Sequence, residues 1–224
     1  MASKAGIEQL IERDVFERAC DQQLRLTDSF GSTVDTYRKC LDAADNDEME
    51  ATIETVVDDG ETAVQLCTRT EYDPDLLSRF VAIRERGTEL TVTETVLVAI
   101  ITEQLEDGVP PEHGAPDGFV PVTGPGLMKL VETCERCLVY IWRDECDPCK
   151  DVRSDLEAIV AEEPPTETIP LAVYGPDCGR LLRTEYDVVG APTVLCTADG
   201  SIETRLVGPT AREKLATELR LIGQ

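Results

Sequence analysis

Cys146 and Cys149 lie three residues apart in the stretch "WRDECDPCK" (142–150), directly behind the apolar run Leu138-Val-Tyr-Ile141. Two thiols at that spacing have two chemistries open to them, thiol–disulfide exchange and metal ligation. The run before them reads as a buried strand and the residues after them as a helix, so Cys146 falls at a helix's first turn. Free amide N–H groups and the positive end of the helix dipole favour a thiolate there, and the thiolate is the attacking species in exchange. Cys146 is therefore the candidate nucleophile. Cys149, one turn further on and expected to be the more buried, is placed to attack a mixed disulfide on Cys146 and release the bound partner. Pro148 suits the first turn, where its missing N–H costs nothing.

The chain holds nine cysteines, an odd number, spread over 224 residues. That is too sparse for the disulfide framework of a small secreted domain. A second Cys-x-x-Cys, Cys134 and Cys137, precedes the same strand. Residues 138–143 in an extended strand would carry the chain roughly 20 Å at ~3.3 Å per residue. Zinc needs its sulfurs within ~2.3 Å of itself, so the two pairs do not share one ion. For Cys134 and Cys137 three readings stand: one surface and one half-buried thiol, an accessory disulfide or resolving pair, or metal ligands. Cys178 reads as a relay thiol or an inert one, and Cys196 as core. Cys20, Cys40 and Cys67 recur at core-like positions and read as small buried hydrophobes. His113 is the only histidine. It excludes a His-pair metal site and a histidine-based triad, and reads as surface.

The elements that must hold the pair fall into two parts. Residues 5 to about 106 read as helical throughout, with one apolar face carrying Ile7, Leu10, Ile11, Val15 and Ala19, a second Val34, Tyr37, Leu41 and Ala44, and a third Ile53 to Cys67. Pro74 or Asp75 opens a fourth helix, and Thr91 with Glu94 forms a capping box for a fifth. This predicts an all-helical domain over 1–106. Residues 107–118, "DGVPPEHGAPDG", have almost nothing to bury and read as a linker. From 119 onward the period changes. A short helix (126–135), a strand (138–142), a helix (147–162), a strand (169–174), a helix (180–186), a strand pair (193–196 and 202–206) and a closing helix (212–221) describe a mixed sheet flanked by helices.

Charge narrows the partners. With 45 Asp and Glu against 21 Lys and Arg, the formal net charge is −24. Such a chain repels polyanions, which argues against nucleic acid, and strains itself unless salt screens it. The scarcity of lysine (Lys4, Lys39, Lys129, Lys150 and Lys214) and the even spread of acids resemble the protein surfaces of salt-in halophiles. No apolar run approaches the ~18 residues of a membrane span, and the N-terminus lacks a secretory pattern. A cytoplasmic protein that does not enter membranes is expected.

Residues 119–224 resemble a thioredoxin. "VYIWRDECDPCK" is similar to that family's strand and active-site motif, "VVGAPTVL" (188–195) to its cis-proline loop, and "DGSIETRLVGPTAREKL" (199–215) to its last hairpin and helix. The resemblance implies a thioredoxin-like α/β fold. It implies a redox-active Cys146–Cys149 pair and a cis Pro192 that faces it. It implies a substrate groove formed by Trp142, Pro148, Ala191, Pro192 and Thr193. No cofactor is implied. Disulfide-containing proteins are the expected substrates, with a reductase or dithiol as electron donor. Residues 1–106 carry no such resemblance and no role is assigned to them, with a partner or a second copy of the chain as the contacts open to them.

Two departures stand out. Glu145 and Asp147 flank Cys146 where the family has Trp and Gly, and like charges oppose a thiolate, so the thiol's pKa should rise. The acid that many thioredoxins bury in the central strand falls at Tyr140, which removes a base for Cys149. The expected function is a thiol–disulfide oxidoreductase. The alternative is a redox-sensing or partner-binding regulatory protein.

Overall fold

Helix starts in the first hundred residues are written in their caps. In the computed structural model, which describes residues 4–18, 24–108, 110–164 and 168–222, α1 spans Lys4–Glu12, α2 Asp28–Leu41, α3 Asn46–Val57, α4 Gly60–Arg69, α5 Pro74–Glu85 and α6 Val92–Asp107. Thr27 accepts from Phe30 N at 3.0 Å, and Asp45 and Glu48 close a capping box. Asp73 accepts from Asp75 N with Pro74 behind it, and Thr91 and Glu94 exchange hydrogen bonds at the head of α6. Each satisfies amides that the first turn leaves bare.

The helical expectation meets two departures. The apolar period from Ile53 to Cys67 belongs to two helices, because Asp58 takes a left-handed conformation (φ 58°) and Asp59 caps a new start on Thr62 N. The first helix ends at Glu12: Asp14 turns with φ 59°, and β1 (Phe16–Arg18) pairs antiparallel with β2 (Leu24–Leu26). Short polar side chains tolerate that turn better than others, and Val15 is buried by the hairpin entry and not by a helix face. Cys67 is buried, as expected, but Cys40 is exposed, since it lies on the outer side of α2. Cys20 and Ala19 lie outside the described residues. One charged group enters this core. Arg79, 1% exposed, is held by Glu106 at 2.7 Å, by Asp75 and by Thr102, and pairing is what makes a buried guanidinium tolerable.

The chain divides into two compact units between Asp107 and Gly108. In the second, β3 (Val120–Val122), β4 (Arg136–Trp142), β5 (Ile169–Tyr174), β6 (Thr193–Ala198) and β7 (Ser201–Val207) form one sheet in the order β3-β5-β4-β6-β7. β4 runs parallel to β5 and antiparallel to β6, with β3 parallel to β5 at one edge and β7 antiparallel at the other. This is the mixed sheet expected. The helices are α7 (Gly124–Thr133), α8 (Asp147–Glu162), α9 (Gly175–Tyr186) and α10 (Arg212–Ile222). α7 packs on α9, and α8 on α10. β4 is buried along nearly its whole length because both its faces are covered. Leu138, Tyr140 and Trp142 join the core beneath α8, and the alternating pleat turns Cys137 the other way, toward Leu130 of α7.

α9 begins at Gly175, five residues ahead of the expected 180, and α7 lies two residues ahead of the expected 126–135. Two further segments differ from expectation. β3 contains Pro121, which has no amide to donate, and an edge position is where a sheet tolerates that. The segment read as a linker is not free chain. Beyond Gly108 it belongs to the second unit, where Ala115 N bonds Glu112 O, Asp117 N bonds Glu157 Oε1 at 3.2 Å, and Arg153 Nη1 reaches His113 O at 3.0 Å. Pro116 is buried.

Candidate active site

Cys146 is the N-cap of α8, at the C-terminal end of β4. The strand stops there because Glu145 turns the chain with φ 51°, and Pro148 sits in the first turn that follows. Cys146 and Cys149 are joined in a disulfide, with Cα atoms 5.2 Å apart. Cys149 N donates to Cys146 Sγ at 3.2 Å. In the reduced protein that donor and the helix dipole would both stabilise a thiolate.

The opposite wall is the loop before β6. The Ala191–Pro192 peptide is cis, and the Ala191 carbonyl oxygen lies 3.8 Å from Cys146 Sγ. Thr193, fully buried, donates its hydroxyl to Gly190 O at 2.7 Å, and Gly208 N donates to Pro192 O at 2.8 Å. Gly208 has φ 78°, a conformation that a side chain would strain. The loop is thus braced from within and from the final hairpin. Cys146, Cys149, Trp142 and Ala191 pack in one cluster, Pro192 and Thr193 follow Ala191 in the same loop, and Pro148 is half-buried in the first turn of α8.

Cys146 is not the exposed member of the pair. It is 5% exposed and Cys149 4%. The former linker lies beside the pair: Ala115 packs against the cluster that contains both cysteines, and a small open pocket of about 120 Å³ has His113, Gly114, Trp142, Cys146 and Cys149 among its lining. Gly114 lies so close to Trp142 that a Cβ there would stand 2.3 Å from the indole ring. His113 meets the same ring edge-on at 4.9 Å, and its Nε2 is 2.8 Å from Asp144 Oδ1. Tyr174 donates to the other Asp144 oxygen at 2.7 Å and packs on Trp142 at 4.7 Å. The His113 contact, then Tyr174, holds the Asp144 carboxyl below its ordinary pKa. His113 is therefore part of the site, which its Pro and Gly neighbours concealed. Its partners are 29 to 61 residues away, so no local pattern announces them.

The electrostatics differ from expectation at one position. Asp147 bonds Lys150 at 2.7 Å, and that hydrogen bond lowers its pKa. Its charge is shared with an ammonium, which offsets part of the opposition to a thiolate. At the other cysteine, Tyr140 donates its hydroxyl to Cys149 O at 2.7 Å. Burial raises the Tyr140 pKa, so it remains a neutral donor at physiological pH and is no base for the second thiol.

The remaining cysteines stand apart. Cys134 and Cys137 are both buried, at 5% and 0% exposure, so neither is a surface thiol. Cys137 pairs with Ile169 at the start of β4, the end away from Cys146. Cys178 is half-buried in α9 and Cys196 buried in β6. Burial first, then Asp177, pushes Cys178 up to about 11, and burial first, then Glu218, pushes Cys196 to about 12. Both are poor nucleophiles at neutral pH.

No family model matches the chain. Over 82 residues, 37% of this chain and 73% of the relative, it is 33% identical to a thioredoxin of Mycolicibacterium smegmatis. Among solved structures it is similar to a point mutant of thioredoxin from Halobacterium salinarum NRC-1, at 23% identity and TM-score 0.42, over 49% of this chain and 95% of that one. It is also similar to oxidized mitochondrial thioredoxin 3 of Saccharomyces cerevisiae, at 14% identity and TM-score 0.40, over 46% and 93%.

Proposed function

Because the chain belongs to the thioredoxin family, we propose that it reduces disulfides of other proteins through Cys146 and Cys149. The observation that carries this is the disulfide at the head of α8, with Cys146 Sγ against the Ala191 carbonyl of the cis-proline loop. In the reduced protein the Cys146 thiolate attacks one sulfur of a substrate disulfide. A mixed disulfide forms and the other substrate sulfur leaves as a thiolate, which takes up a proton. Cys149, deprotonated to solvent, then attacks Cys146 Sγ and expels the second substrate thiolate. The substrate gains two electrons and two protons, and the protein is left oxidised. A dithiol or a reductase returns it to the start.

Trp142, Pro148, Ala191, Pro192 and Thr193 shape the groove in which the substrate sulfur is presented. Cys134 and Cys137 take no part in this exchange. The second unit is the catalytic domain, the first is the site of partner or self-association, and the protein acts in a salt-rich cytoplasm. Among the described residues no helix is long and apolar enough to cross a membrane. The test is turnover of a model protein disulfide with dithiothreitol as reductant. Cys146→Ser should abolish it, Cys149→Ser should accumulate a mixed disulfide, and Cys134→Ser or Cys137→Ser should keep it. Undiminished turnover by Cys146→Ser would overturn the mechanism.

A second reading is favoured by the low exposure of Cys146 and the segment 113–115 beside it. In that reading the pair is a sensor whose redox state alters partner binding. A dithiol that cycles without reducing any protein disulfide, and whose oxidation changes the set of co-purifying proteins, would distinguish it.

A further inference from the structure

An open groove of about 410 Å³ lies between α9 and the loop before β6. Ile141, Leu182, Val188 and Ala191 supply apolar lining, and Arg143 and Arg183 supply charge. The groove adjoins the reactive pair through Ala191, whose carbonyl is 3.8 Å from Cys146 Sγ. Val189, on the same loop, is 74% exposed, so apolar surface continues out of the groove.

The two arginines carry positive charge into a chain of 45 acids and 21 bases. Several of its other cations are held by carboxylates. Arg153 meets Glu157, Arg205 meets Asp187, Arg212 meets Glu162 and Arg220 meets Glu163. Arg143 and Arg183 are exposed and bond no carboxylate among the described residues. They stand at two sides of one groove, Arg143 just past β4 and Arg183 on α9. A guanidinium offers a planar fork that fits a carboxylate, and it remains charged at any physiological pH.

We propose that this groove is a subsite for an acidic side chain of the substrate. The peptide flanking the attacked cysteine runs along Val188–Ala191, and an Asp or Glu a few residues from that cysteine is held by Arg143 and Arg183. This selects, among disulfide-bearing proteins, those with acidic residues beside the disulfide. It works against the repulsion of the whole chain, because a contact pair is screened less than charges a Debye length away, about 8 Å at 0.15 M salt. The inference rests on the exchange reading above.

The probes are three short peptides, each with one central cysteine in a mixed disulfide with thionitrobenzoate and flanked by Asp, Asn or Lys. Reduced protein takes the disulfide to peptide thiol and thionitrobenzoate and is itself oxidised to the Cys146–Cys149 disulfide. Rates are read at 0.15 M salt for wild type, for Arg143→Gln/Arg183→Gln, and for Lys39→Gln/Lys214→Gln, which removes the same charge from exposed positions elsewhere. The ratio of kcat/KM for the Asp peptide over the Asn peptide should fall about three- to tenfold in the arginine variant, as two surface ion pairs would give, and hold in the lysine variant. Binding of the Asp peptide with serine for cysteine, followed by calorimetry, should weaken in parallel. A ratio unchanged by loss of both arginines overturns the subsite and leaves the exchange reading intact. If wild type reduces none of the three, the exchange reading fails, and the serine peptide alone decides the groove.

Discussion

A hydroxyl in place of a carboxyl at Tyr140, and a carboxyl in place of a hydrogen at Asp147, bear on the chemistry of Cys146 and Cys149. Tyr140 replaces an internal acid and holds the Cys149 carbonyl, so the first turn of α8 is anchored but the Cys149 thiol has no local carboxylate hydrogen-bonded to it among the described residues. Its proton must leave to solvent. Asp147, shared with Lys150, opposes the Cys146 thiolate less than its position suggests. The other thiols are distinguished by burial. Cys67 is pushed up to about 11, by burial and then by Glu50, and Cys178 likewise to about 11. A raised thiol pKa means the neutral form dominates below it, so near pH 8 only about one such thiol in a thousand is ionised. Native alkylation at pH 8, mapped by mass spectrometry, should therefore label Cys40 with or without reductant and Cys146 only after reduction. Cys67, Cys178 and Cys196 should stay unlabelled, with labelling of Cys178 rising about tenfold per pH unit toward 11. Cys178 reacting as fast as Cys40 at pH 8 would refute the assignment.

At the scale of elements, the segment 112–117 matters most. It is tied down by Arg153, Glu157 and Asp144, and it lays Gly114 on Trp142 beside the disulfide. Gly114→Val adds atoms where the indole already stands, an overpacking of the kind that typically costs about 1–3 kcal/mol. The segment should move off, and reduction of the disulfide by a phosphine should quicken several-fold. Unchanged kinetics in a folded variant would mean that something else limits access. This element was illegible in the sequence because its bonds are long-range and its residue types are those of a linker. α8 and β5, by contrast, match the sequence-based boundaries, since Cys146 and Pro148 mark a helix start and Leu171 to Tyr174 continue an apolar run past Pro170, the second residue of the strand. The disulfide pair and the cis-proline loop were legible for the same reason: each is a short, local pattern. β3 was hidden by Pro121, and the break between α3 and α4 by apolar spacing that continues in phase across Asp58. The cover over Cys146, and the place of Cys134 and Cys137 in the core, required the packed sheet.

For the molecule as a whole, charge is the governing quantity. Surface pairs such as Arg212 with Glu162 and Arg220 with Glu163 neutralise little of a net −24. Self-repulsion should then weaken the fold in dilute buffer and fade as the Debye length falls to ~3 Å at molar salt. The Tm should climb steadily in potassium chloride from 0.1 to 3 M, as followed by circular dichroism. A flat profile would instead point to a basic partner as the source of compensation. The division at Asp107 and Gly108 has a consequence of another kind. α6 ends at Asp107, and the segment beside the disulfide begins at Glu112, with only residues 108–111 of the chain between them. A backbone cut by a protease within that stretch would put the helices on one piece of chain, and the segment with the whole five-stranded sheet on the other.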